Sequence, residues 1–230
     1  MNKFLISFTL FLIFGFCASF HGNGGGERPS GDLAAKVSAY ASLYDSLHLD
    51  GRLSREAFDR AVAGYVRAGS GMRGVLTVID FSKPSTAERL FVIDIDRARL
   101  LLTSLVAHGR GSGGLYATAF SNKSGSHMSS LGFYRTGAAY SGSNGYSLRL
   151  DGLERGINDN ARRRAIVIHG ADYCDPSWVE HGRRLGRSFG CPAVPRAVSR
   201  RLIDLIKDGT LLFIYADDTD YSRRSTILMG

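Results

Sequence analysis

A mainly β domain behind an N-terminal pair of helices is the fold class this sequence predicts, on three observations. The runs Val75 to Phe81, Leu90 to Ile95 and Leu100 to Ala107 read as strands, each bounded by turn residues. Helical spacing of apolar residues is confined to the stretch from Asp32 to Gly69 and to a shorter one after Pro195. Asn144-Gly145 is a hairpin signal inside the glycine- and serine-rich stretch Gly109 to Tyr146, and it assigns that stretch to β structure with long functional loops.

At the start, Lys3 precedes an almost unbroken apolar run, Phe4 to Phe16, followed by the small residues Ala18 and Ser19. That is the pattern of a secretory signal peptide over residues 1–19. The run falls short of the ~20 apolar residues of a bilayer span, so export to the periplasm or cell wall without a stable membrane anchor is expected. Residues 20–31 are glycine-rich and read as a flexible linker.

Residues 32–73 form the helical segment. Leu33, Val37, Tyr40, Tyr44 and Leu47 mark its first helix. Ser54 caps the second, Leu53 and Phe58 staple its start, Ala61, Val62 and Tyr65 continue its inner face, and Gly69 stops it.

Residues 74–230 form the β domain. Asp96, Arg97 and Ala98 turn the chain between two of the strands above. Leu115 to Phe120 and Leu131 to Tyr134 are brief apolar patches, and Ala165 to Ile168 is a buried strand that delivers His169. Pro195 opens a helix with Val198, Leu202, Leu205 and Ile206 on one face, Gly209 closes it, and Leu211 to Tyr215 is the last strand.

A net charge of +8 fits a nucleic acid, an anionic surface or an acidic polymer. Export and the lack of a base-reading module exclude nucleic acid and leave the polyanionic cell envelope as partner.

Thiol acyl transfer needs a sulfur nucleophile, an imidazole to take and return a proton, and backbone N–H groups for the oxyanion. The segment Ser188-Phe189-Gly190-Cys191-Pro192 offers Cys191 in a setting that suits a reactive thiolate. Because Pro192 has no N–H, the amides of Gly190 and Cys191 are the expected oxyanion donors. Two blander readings stay open: His169 as a structural hydrogen-bonding residue, and Cys174 with Cys191 as a disulfide, structural or regulatory. A zinc site from His169, Asp172, Cys174, His181 and Cys191 fits none of the usual ligand spacings, so neither metal nor cofactor is expected.

The segments Ile166-Val167-Ile168-His169-Gly170 and Gly186-Arg187-Ser188-Phe189-Gly190-Cys191-Pro192-Ala193 resemble the YkuD-like murein L,D-transpeptidases, in a branch with extended glycine- and serine-rich loops. Val106-Ala107-His108-Gly109, Phe120-Ser121-Asn122, Ser129-Ser130-Leu131-Gly132 and Ser147-Leu148-Arg149-Leu150 extend the resemblance from about Val75 to about Tyr215. It implies a mostly antiparallel, sandwich-like β fold with the site at a sheet edge beneath a flap. It implies Cys191 as nucleophile, His169 as base and then acid, Gly170 as the carbonyl that orients the imidazole, and Ser188 as a shaper of the nucleophile loop beside Gly190.

Tyr134, Tyr140 and the loop Gly137 to Gly145 are the flap candidates by position. With Arg187, Ser130 and Gly132, the two tyrosines make up the candidate substrate-binding set. Many members of the family carry a histidine where this chain has Phe189, which leaves His169 as the only motif histidine. The implied substrate is the peptidoglycan stem tetrapeptide, cut after its third residue through a Cys191 thioester. The implied product is a 3-3 cross-link, or a trimmed stem if water is the acceptor. The order of His169 and Cys191 sets papain-like wall endopeptidases aside, and the sortase motifs are absent. The non-enzymatic alternative is a wall-binding module using Arg183, Arg184 and Arg187, which also read as a solvated face.

Overall fold

The computed structural model describes residues 30–229. The signal-peptide reading of residues 1–19, and the linker reading as far as residue 29, lie outside them. Elements run α1 (Ser30–Ser46), α2 (Arg55–Ala68), β1 (Val75–Asp80), β2 (Leu90–Asp94), β3 (Arg99–Ser104), β4 (Gly132–Gly142), β5 (Gly145–Gly152) and β6 (Val167–Gly170). Then come α3 (Ser177–Glu180), β7 (Ala193–Val194), α4 (Arg196–Ile206), β8 (Leu211–Tyr215), α5 (Thr219–Arg224) and α6 (Thr226–Met229). The first helix thus begins inside the predicted linker. Among the described residues no helix is long and apolar enough to cross a membrane.

All eight strands belong to one sheet, in the order β3-β2-β1-β8-β4-β5-β6-β7. Its pairs are antiparallel except β1 with β8 and β6 with β7. β1 and β8 are buried along their whole length, as near-continuous apolar strands with both faces covered must be. Beyond β3 the chain returns to the far end of the sheet, where Ala107 N–H donates to the Ala193 carbonyl at 2.7 Å and Arg110 N–H to the Ser188 carbonyl at 2.8 Å. The fold is therefore mainly β, and its sandwich-like form is one sheet curled until its two ends meet.

The helical pair closes one side of this core. Ser54 Oγ accepts the Ala57 N–H, Leu53 and Phe58 of the staple are buried, and Ser54 N–H donates to buried Asp80 at the end of β1. A Cβ on Gly64 would sit 2.1 Å from the Phe133 ring, so glycine is what lets α2 lie against β4. Gly69 ends the helix in a right-handed conformation, and Gly71 takes the positive φ instead. The β4–β5 hairpin turns at Ser143-Asn144, with Gly145 at φ +74 supplying the left-handed residue. In α4, Leu202, Ile203 and Ile206 are fully buried, while Leu205 is only partly so.

Candidate active site

His169 lies on β6, and Cys191 lies in the loop that leads into β7, its parallel partner. His169 is the register partner of Ala193, two residues past Cys191. β6 is buried throughout and holds the imidazole at 6% exposure. His169 Nδ1 lies 3.1 Å from the Gly170 carbonyl, and donation there leaves Nε2 free to take a proton. A Cβ on Gly170 would meet Ser199 Oγ at 2.7 Å, so this glycine also lets α4 pack behind the site.

The loop that carries Cys191 is tied from within and from outside. Ser188 Oγ donates to the Cys191 carbonyl at 2.6 Å and accepts the Gly190 N–H at 3.0 Å. Ser129 Oγ donates to the Gly190 carbonyl at 3.2 Å and accepts the Gly109 N–H at 3.0 Å. Gly190 has φ +123, and a Cβ there would sit 2.8 Å from the Met128 carbonyl oxygen. Ala165 and His127, on segments flanking this loop, also hold left-handed φ values of 53° and 54°. Backbone strain of about 1 kcal/mol at each is thus gathered around the nucleophile.

Cys191 is half-buried, and its thiol points at the Ala165 carbonyl, 3.6 Å away. No hydrogen bond joins it to His169 among the described residues. Burial raises the thiol pKa above its ordinary value, against the pull of the Val167 N–H and the Arg164 charge. Burial lowers the His169 pKa, opposed by the Gly170 carbonyl. Burial thus favours a neutral thiol and a neutral imidazole over the preformed thiolate that the sequence context suggests.

Two buried groups support the loop from behind. Arg89 is fully buried, donating to the Val106 and Lys83 carbonyls and to His108 Nδ1 at 2.8 Å. Burial brings its pKa to about 9, so it stays a cation at neutral pH. Burial and that cation push His108 down to about 4. The His108 carbonyl in turn accepts the Ser188 N–H at 3.0 Å.

Residues 49–215 match the family model of the L,D-transpeptidase catalytic domain (YkuD_2). The chain belongs to this family. No curated protein matches it. Solved structures similar to it include the helical cell shape determining protein Pgp2 from Campylobacter jejuni, at 13% identity and TM-score 0.42 over 63% of this chain and 48% of that one. Others are an L,D-transpeptidase from Mycobacterium smegmatis, at 13% identity and TM-score 0.38 over 62% and 59%, and one from Xylanimonas cellulosilytica, at 14% and 0.38 over 79% and 93%. The chain spans about half the length of the Campylobacter protein.

Within this L,D-transpeptidase domain several sequence expectations need correction. Tyr134 is fully buried, its hydroxyl donating to the Ser130 carbonyl, and Ser130 and Gly132 are buried beside it, so no substrate reaches these three. The predicted flap Gly137 to Gly145 is the end of β4 and its hairpin turn. The Gly190 amide is engaged by Ser188, and among the described residues Cys191 N–H is left as the donor of the expected oxyanion pair that makes no backbone or side-chain hydrogen bond to another residue. Cys174 and Cys191 are free thiols. Cys174 is buried against the Ala193 carbonyl at 3.2 Å, with its pKa pushed up to about 12.

Tyr140 remains on the face of His169, since the register runs Tyr140, Ser147, His169 and Ala193 across four strands. Arg187 is exposed and donates to the Gly113 carbonyl at 2.8 Å. Among the described residues no three His, Cys, Asp or Glu side chains gather as metal ligands. Sequence reasoning gave no role to Arg164, Arg89, Ser129 or His108, although the last two lie in segments that carry the family resemblance. Arg164 donates to the Ser121 and Met128 carbonyls and to Ser130 Oγ, and its lone sequence signal is its place in the basic lead-in to His169.

Proposed function

We propose that the chain is an exported cysteine acyltransferase acting on peptidoglycan stem tetrapeptides. The observation that carries this reading is the family site itself: Cys191 and His169 on one sheet edge, with the imidazole tautomer set by Gly170 and the thiol held in a loop pinned by Ser188 and Ser129. The neutral thiol and neutral imidazole suit a step in which proton transfer accompanies attack. The step requires the Cys191 side chain to leave the Ala165 carbonyl and approach His169 Nε2.

Sγ then attacks the carbonyl of the third stem residue as its proton passes to Nε2, with Cys191 N–H as oxyanion donor. The bond to the terminal D-alanine breaks, and His169 returns the proton to the departing amine. An acceptor amine resolves the thioester to a 3-3 cross-link, its proton passing through His169 to the released Sγ; water as acceptor gives L,D-carboxypeptidase action. Wall binding without catalysis through the exposed Arg183, Arg184 and Arg187 is the alternative reading, and no single observation favours it over the Cys191–His169 site.

Product analysis tests this. Incubation with a disaccharide tetrapeptide should release D-alanine and yield a stem dimer, and Cys191→Ala should yield neither. Release without dimer would assign carboxypeptidase action. No product from any stem type would overturn the reading.

A further inference from the structure

Beside the nucleophile, on the outer side of its loop, stands a cluster that the catalytic scheme leaves unused. Phe189, two residues before Cys191, is 64% exposed, the most exposed of the large aromatic side chains among the described residues. The Arg110 guanidinium lies over its ring, 4.6 Å from the centroid, and the His127 ring lies 4.7 Å from it. Arg110 Nε and Nη2 both point to His127 Nδ1, at 3.2 and 3.0 Å. Its Nη1 makes no hydrogen bond, and Arg110 pairs with no carboxylate, among the described residues.

An arginine held rigid on an aromatic face, without an acid partner, is already ordered for a planar anion and pays little entropy on binding one. Three further facts bind this cation to the site. Arg110 N–H is fixed on the Ser188 carbonyl, inside the nucleophile loop. The Gly111 N–H donates to the carbonyl of His127, a non-glycine residue held at φ 54°. Arg187 clamps the same turn through the Gly113 carbonyl and adds a second exposed cation.

We propose that Arg110, braced by Phe189 and His127, receives a carboxylate of the substrate and so fixes which acyl group is presented to Cys191. This rests on the reading of the substrate as a stem peptide, whose backbone and side chains carry more than one carboxylate. Bidentate pairing with a guanidinium is the chemistry that would recognise it. Phe189, standing where many relatives carry a histidine, is then the platform of a binding residue.

The test uses the full chain carrying Cys191→Ala, so that binding is read without turnover. Calorimetry with a disaccharide tetrapeptide should give an affinity that falls about tenfold or more with Arg110→Ala added, and less with Arg110→Lys. Amidating the stem carboxylates one at a time identifies the partner: the amide that weakens binding to the parent and no further to Arg110→Ala marks it. Unchanged affinity in Arg110→Ala, equal losses with every amide, or no measurable stem binding would each overturn the proposal. Failure of the catalytic reading is seen separately, as absence of product from the chain with Cys191 intact.

Discussion

Acid should loosen the Cys191 loop through a residue buried behind it. His108 is wholly buried, accepts from Arg89 at Nδ1 and is held from an ordinary 6.5 down to about 4. The unfolded chain takes this proton near 6.5 and the folded chain only near 4, so between those values the unfolded state binds more protons. The stability His108 contributes by staying neutral is complete above about pH 6.5 and is lost as pH falls toward 4. At about 1.4 kcal/mol per tenfold, the loss is about 3 kcal/mol.

His108→Asn keeps an acceptor for Arg89 and removes the titration. At pH 7 it should be about 1 kcal/mol less stable than the parent, because it forfeits the edge contact with Phe81. Toward pH 4 it should become the more stable protein. Urea denaturation of both from pH 7 to pH 4 measures this as a crossing of midpoints, with the parent losing about 1 to 2 M more than the variant. His169 and the carboxylates titrate in both proteins and cancel. Parallel midpoints over the whole range would refute the argument that burial against Arg89 keeps His108 neutral.

Three further outcomes follow from the same structure. Because burial lowers the His169 pKa, the acid limb of kcat/KM on a stem tetrapeptide should have its midpoint below 6.5, the ordinary histidine value; a midpoint above it would contradict a neutral base. Removing the Arg164 charge should raise the Cys191 pKa further, so Arg164→Met should be alkylated by iodoacetamide about threefold to tenfold more slowly at pH 8, and Arg164→Lys should recover much of the rate. Gly132 has φ +98, and a Cβ there would meet Glu154 Oε2 at 2.1 Å, so Gly132→Ala should cost about 3 kcal/mol or more in thermal or urea unfolding. The folded fraction of that variant should keep its KM, as suits a residue of the core and not of the substrate surface.

Strands such as β1, β2 and β8 were legible because their apolar runs are bounded by turn residues, and the family because the segments around Cys191 and His169 carry a specific motif. The flap was not. Tyr134 and the stretch to Gly145 contain turn-forming glycines and serines, and composition alone does not say that these residues pair across a long hairpin. The engagement of the Gly190 amide was hidden for a different reason: Ser188 was seen as a shaper of the loop, but which amide its hydroxyl would occupy depends on a turn closed in three dimensions. Arg89 and His108 left no periodic signal, since a buried cation satisfied by carbonyls looks like a surface residue in one dimension. The last two helices, α5 and α6, are too short for apolar spacing to show.

If, as proposed, Cys191 carries the acyl group with His169 as its base, intact-protein mass spectrometry will record the acyl-enzyme. Mixed briefly with a disaccharide tetrapeptide, the full chain should gain the mass of the stem less its terminal D-alanine, mapped to the peptide containing Cys191. Cys191→Ala should gain nothing, and His169→Ala should gain the adduct at least about a hundredfold more slowly. An adduct that persists in Cys191→Ala, or forms at the full rate without His169, would contradict the account.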